Sequence, residues 1–309
     1  MHESSAVTIE QIVAAAENAL RARDGSAARD WLGVLPLSDE VVDVRILRLQ
    51  AEAAELDENW ADAATIRARI VEREPLSIAD CCQLAYSLRR AGQFAAADQV
   101  LEPLLSRIPN CVPALAAYAW NAHEDKTSRE AVQRWRALLK HVPEDVSSNC
   151  CLVAALTQNG QFEQAEDLAD DLLRRYPLNE QVASVSAWIS HSRGEWPEAV
   201  SRWKRAVELA PQKADAHACL GTALRHIGSF DSAEAAFFDA RKLAPDNLLF
   251  QIEYAAIARD GGNPAESERL SGNASVIGVG WPEKVCFQQV VETKLNGQPH
   301  VDPDHPCTS

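Results

Sequence analysis

No stretch of this chain is apolar for long enough to cross a bilayer, which takes about 20 consecutive apolar residues in a helix. Strand-forming runs of β-branched or alternating residues are almost absent too, so the expectation is an all-helical fold. Positive charge is scarce: 30 Lys and Arg stand against 45 Asp and Glu, a formal net charge of −15. Without a basic stripe to offset that acidity, nucleic acid and anionic membrane surfaces are excluded as main partners, and membrane insertion is not expected. Catalytic signatures are missing as well. Gly278-Val279-Gly280 lacks the further glycines and the strand-then-helix frame of a phosphate-binding loop. There is no serine elbow, no metal-protease helix and no paired-cysteine zinc spacing. Cys286, His300, His305 and Cys307 match no metal-binding motif. The chain therefore reads as non-catalytic, with no cofactor and no metal.

The eight cysteines do not form a disulfide framework, because Cys81-Cys82 and Cys150-Cys151 are neighbours inside helical patterns, where a mutual bond would be strained. Small buried thiols in a reducing cytoplasm are expected. The opening residues MHESSAVTIEQ carry acids and no basic start, and no apolar run follows, so a cytoplasmic location is expected. A thiol switch at Cys82 and Cys150 is a lesser alternative.

Periodicity dominates what is there. Pro75, Pro109, Pro143, Pro177, Pro211 and Pro245 stand 34 residues apart without insertion or deletion. Twelve residues before each comes an alanine: Ala63, Ala97, Ala131, Ala165, Ala199 and Ala233. A second small slot, twelve residues earlier again, holds Ala51, Ala85, Ala119, Val153, Ala187 and Gly221. Two small slots per copy imply two helices crossing closely, and a fixed period of this size implies copies stacked on one another. Continuous periodicity argues for one elongated array. Between the slots, Gly92, Gly160, Gly194 and Gly228 sit where a helix ends in a left-handed residue. An aromatic follows two residues later at Trp60, Phe94, Phe162, Trp196 or Phe230, and the proline ends the second helix. The third copy has His123 to Ser128 (HEDKTS) in place of the glycine-aromatic turn, so its loop is expected to be altered.

The stretch Ala216 to Asp246, with Leu220-Gly221, Leu224, Ala233, Phe237, Ala240 and Pro245 in place, resembles the tetratricopeptide repeat, a helix–turn–helix of 34 residues. The resemblance covers residues 44–247 and implies a right-handed superhelical α-solenoid of stacked antiparallel helix pairs. Residues 1–43 then form a degenerate capping pair. Six repeats follow at 44–77, 78–111, 112–145, 146–179, 180–213 and 214–247, with a partial seventh at 248–271. Residues 272–309 are irregular, with a helix expected over 282–295 and a mobile tail.

The family binds partners on a concave face lined by the first helix of each repeat, at its second, fifth, ninth, twelfth and thirteenth positions. Carried over, these positions give the aromatic residues Tyr86, Trp120 and Trp188. They also give Arg45, Arg48, Arg89, Arg90 and Arg225, with His123, His191 and His226. Such a groove suits a protein or peptide segment with acidic or aromatic residues, stacked on the rings and held by arginine forks. No lysine occupies a groove position, so the lysine-and-asparagine grip that some relatives place on a C-terminal carboxylate is not expected. The function implied is a protein-binding scaffold or adaptor. The alternative is a self-assembling or accessory module that recruits a neighbouring enzyme or an envelope or secretion complex, with homo-oligomerisation as one form of it.

Overall fold

A computed structural model describes residues 8–35, 43–75, 77–247, 250, 253, 254, 256, 257 and 261. Fourteen α-helices and no strand occur among the described residues. The expected helix over 282–295, the tail and most of the partial seventh repeat lie outside them.

The described residues divide into two compact units, one through His141 and one from Val142. The first unit holds α1 (Ile9–Arg21), α2 (Gly25–Leu32), α3 (Val44–Leu56), α4 (Trp60–Arg73), α5 (Ile78–Arg90), α6 (Phe94–Arg107), α7 (Val112–Glu124) and α8 (Ser128–Leu139). The second holds α9 (Val146–Gln158), α10 (Phe162–Arg175), α11 (Glu180–Arg193), α12 (Trp196–Leu209), α13 (Ala214–His226) and α14 (Phe230–Leu243). Within each unit, helices pack on their neighbours in chain order, and first helices also meet directly, α1 on α3, α5 on α7 and α9 on α11. This nearest-neighbour packing is that of an α-solenoid. The boundary falls just after α8, which has 12 residues where the other second helices from α4 to α14 have 14. Lys140, after α8, stays helical in conformation, whereas Glu74, Ile108, Tyr176, Ala210 and Ala244 leave the helix directly before their prolines.

The starts of the first helices are fixed by short polar caps. Asp43, Ser77, Asp145 and Asn179 accept hydrogen bonds from amides of the first turn, satisfying donors that have no partner inside the helix. The alanines at the crossings, Ala63, Ala97, Ala131, Ala165, Ala199 and Ala233, are all completely buried. In the sixth repeat a Cβ on Gly221 would run into the Phe237 ring, which explains glycine in that small slot.

The turn of the third repeat corrects the expectation of an altered loop. Lys126 takes a left-handed φ of 60°, as Gly92, Gly160, Gly194 and Gly228 do at 73–76°. Its following amide, Thr127 N–H, donates to Ala122 O at 3.2 Å, and the equivalent Gln93 N–H donates to Leu88 O at 2.8 Å. The Thr127 hydroxyl adds a bond to the same Ala122 carbonyl at 3.1 Å. Backbone geometry is thus imposed by the helix pair, and the lysine is forced into it. Lys126→Gly is expected to raise stability by about 1 kcal/mol, because the left-handed well strains a residue with a Cβ. Thermal unfolding of the variant checks this; an unchanged or lower melting temperature would refute it.

Candidate functional site

In the first unit the carried-over residues form a continuous ladder of rings and guanidinium groups. The Arg90 guanidinium lies over Trp60, 4.9 Å from the ring centre. Trp60 meets Tyr86 edge to face at 5.6 Å, and Arg89 lies 5.3 Å from the Tyr86 ring and 5.7 Å from the Trp120 ring. Trp120 in turn meets His123 at 5.4 Å and Trp135 at 5.2 Å, edge to face. Tyr86 and Trp120 are half-buried, and each rung is a favourable cation–π or quadrupole contact. The ladder is placed by α5 and α7, which touch directly, with Trp60 reaching in from the start of α4 and Trp135 from α8.

The arginines are less free than the sequence implied. Arg89 pairs with Glu124 at 2.7 Å, both side chains largely buried. Arg45 pairs with Glu17 at 2.7 Å, and Arg48 with Asp80 at 2.7 Å and Glu74 at 2.6 Å. The Arg48 and Ser77 contacts hold the Asp80 carboxyl below the usual carboxylate range, against a burial effect that pushes it up. Among the described residues Arg90 has no carboxylate partner, so of the arginine pair only Arg90 keeps its donors unspent on an ion pair.

In the second unit Trp188, only 6% exposed, stacks on His191 at 5.2 Å with an interplanar angle of 16°. His191 meets Trp196 edge-on at 5.1 Å, and Trp196 lies flat on the exposed His226 at 3.8 Å. Arg225 is paired at 3.0 Å with the buried carboxylate of Glu253.

Sequence reasoning missed two residues that hold the histidines. Trp135 Nε1 donates to His123 Nδ1 and Trp203 Nε1 to His191 Nδ1, each at 3.3 Å. Both tryptophans are fully buried. The signal was present: Trp120, His123 and Trp135 recur as Trp188, His191 and Trp203 at the same three places of the third and fifth repeats. Burial pushes both imidazoles down to about 4, helped by the Arg89 charge at His123 and by His226 at His191.

A family model described as TPR repeat matches residues 189–228. The crystal structure of a tetratricopeptide repeat protein from Parabacteroides merdae ATCC 43184 superimposes with a TM-score of 0.67 over 80% of this chain and 98% of that one, at 13% identity. This is a tetratricopeptide-repeat fold. Two curated proteins share sequence with its repeats: cellulose synthase operon protein C of Salmonella typhimurium (strain LT2), 28% identical over 55% of this chain, and that of Escherichia coli (strain K12), 25% identical over 67%. The chain spans only 15% and 18% of the length of these relatives.

In this tetratricopeptide-repeat fold the thiols serve packing. Cys81, Cys82, Cys111, Cys150, Cys151 and Cys219 are buried and outside any disulfide. Burial pushes Cys82 and Cys150 up to about 12, so neither supplies a thiolate at neutral pH, and the thiol-switch alternative loses its chemical basis. Among the described residues no three His, Cys, Asp or Glu side chains converge to hold a metal ion.

Proposed function

We propose that this chain is a non-catalytic protein-interaction scaffold whose first helices hold an extended segment of a partner protein. The observation that carries this reading is the ladder from Arg90 through Trp60, Tyr86 and Arg89 to Trp120, half-buried on helices that line the binding face of this fold. Rings already fixed by their neighbours lose little entropy on binding, which makes them good anchors. The partner segment carries an aromatic or apolar residue for the ladder and an acid for Arg90. Buried thiols outside any disulfide favour a reducing compartment, the cytoplasm.

A second reading rests on the relatives. Their name ties them to a cellulose synthase operon, which supports an accessory role for this chain beside an envelope polysaccharide system, with the same face recruiting a component of that system.

Capture of partners from native extract by the unmodified chain and by Tyr86→Ala/Trp120→Ala tests both readings, once equal helicity and melting of the two are established. Each truncation is expected to weaken binding by about 1–3 kcal/mol. Equal capture by both proteins would remove the ladder from the binding surface.

A further inference from the structure

The two histidines of the twin Trp-His-Trp sets have one free polar atom each, and its chemistry is dictated by the buried tryptophans. An indole Nε1–H only donates, so Nδ1 of His123 and of His191 must be the acceptor at 3.3 Å. In a neutral imidazole the single hydrogen then sits on Nε2. Each ring is thus locked in one tautomer and presents one N–H donor. Among the described residues neither Nε2 has a hydrogen-bond partner, and neither is among the fully buried unpaired atoms. Both rings lie at the twelfth position of their repeat, beside the ninth-position tryptophan, at positions that the family resemblance implies for ligands.

We propose that Trp120 with His123 in the first unit, and Trp188 with His191 in the second, are two subsites built from the same residue types, one edge to face and one stacked, in each of which the imidazole Nε2–H donates to a backbone carbonyl of an extended polypeptide. The proposal rests on the protein-binding reading above and deepens it. The donor is neutral at pH 7, because burial keeps both rings unprotonated down to about pH 4. A neutral donor matches a neutral acceptor. A ligand carboxylate at the first copy would approach Glu124, already paired with Arg89 against the same ring. A sugar ring needs an open indole face, whereas at the second copy Trp188 is only 6% exposed and stacked on His191. An extended chain needs only an edge, and it offers a carbonyl at every residue. Trp135 and Trp203 are positioning residues here, acting through the tautomer they impose.

The test uses linear twelve-residue peptides selected on the immobilised full chain from a displayed random library. Selected peptides are remade with each backbone amide in turn changed to an ester, whose carbonyl is a weaker acceptor. One such change is expected to weaken binding to the unmodified chain about five-fold, the worth of one neutral hydrogen bond. The same change is expected to have no effect on His123→Phe/Trp135→Phe or on His191→Phe/Trp203→Phe, whichever copy that carbonyl occupies. These paired substitutions leave no indole N–H without an acceptor. Nitrogen-15 spectra of the histidines in the unmodified chain give a readout independent of folding: Nε2–H tautomers without ligand, and slowed exchange of that hydrogen with peptide bound. Peptides that bind both paired variants with the same ester profile would overturn this inference and leave the scaffold reading standing. Failure to select any peptide, together with slowed Nε2–H exchange on adding cellohexaose, would overturn both in favour of a glycan.

Discussion

Arg67→Met is expected to destabilise the first unit by about 3–5 kcal/mol at pH 7 and by distinctly less at pH 5. Arg67 is only 7% exposed and grips Glu55 through two bonds, Nε at 2.5 Å and an NH2 group at 2.9 Å. The Ser87 hydroxyl donates to the same carboxylate at 2.8 Å, tying α3, α4 and α5 together. Methionine fills much of the volume but leaves Glu55 with the hydroxyl alone. Nearby, burial and Glu55 already push the Glu52 carboxyl upward, and Arg67 is the group that opposes them. With Arg67 gone, the Glu52 carboxyl is held further above its unfolded value. Stability from such a raised acid is present at low pH and lost as pH rises through the folded value, so acid partly rescues the variant. Urea titrations at the two pH values decide the matter. A loss below 1 kcal/mol, or one independent of pH, would show that the pair is not the clasp described here.

The second large effect is opposite in direction. The unmodified protein is expected to lose roughly 3 kcal/mol for each of His123 and His191 as pH falls from about 6.5 to about 4. The unfolded imidazole takes up its proton near 6.5 and the buried one near 4, so in that window the unfolded state binds more protons. Stability therefore declines through the window and levels off below it. Carboxylates such as Asp80, whose values are lowered by Arg48 and Ser77, add a decline of their own at lower pH. Subtracting the titration of His123→Phe/Trp135→Phe isolates the first histidine, and the corresponding pair isolates the second. Parallel curves for variant and unmodified protein would mean that these rings protonate freely in the folded state.

Much of the fold was legible because the period carries its own register. The prolines, crossing alanines and glycines each mark a backbone event, and first helices begin at Val44, Ile78, Val112, Val146, Glu180 and Ala214. The third turn misled because residue identity was taken for conformation: Lys126 holds the left-handed place that glycine holds in four other copies and Glu58 in the first. The site was legible in part. Tyr86, Arg89, Arg90, Trp120 and His123 do come together, since family positions on adjacent first helices share a face. What the sequence hid was the pairing of charge. Glu17, Glu124 and Glu253 neutralise arginines from other helices, and such partners follow from packing rather than spacing. Trp135 and Trp203 lie on second helices, away from the positions where a ligand was sought.

The interlocks between successive copies alternate. Arg134 clasps Asp98 of the preceding copy by two bonds of 2.8 Å and donates to Tyr118 O at 2.9 Å. Arg202 repeats this with Glu166 at 2.9 Å and Ser186 O at 3.0 Å. Acids hold that place in the second and fourth copies, while the third and fifth have the buried Val132 and Val200 there. The order of the copies therefore has parity. Excising one copy, the fourth, would set Arg202 opposite Val132 and strand its charge; excising the third and fourth together would restore an acid, Asp98. Chains of this lineage should lengthen and shorten in steps of two.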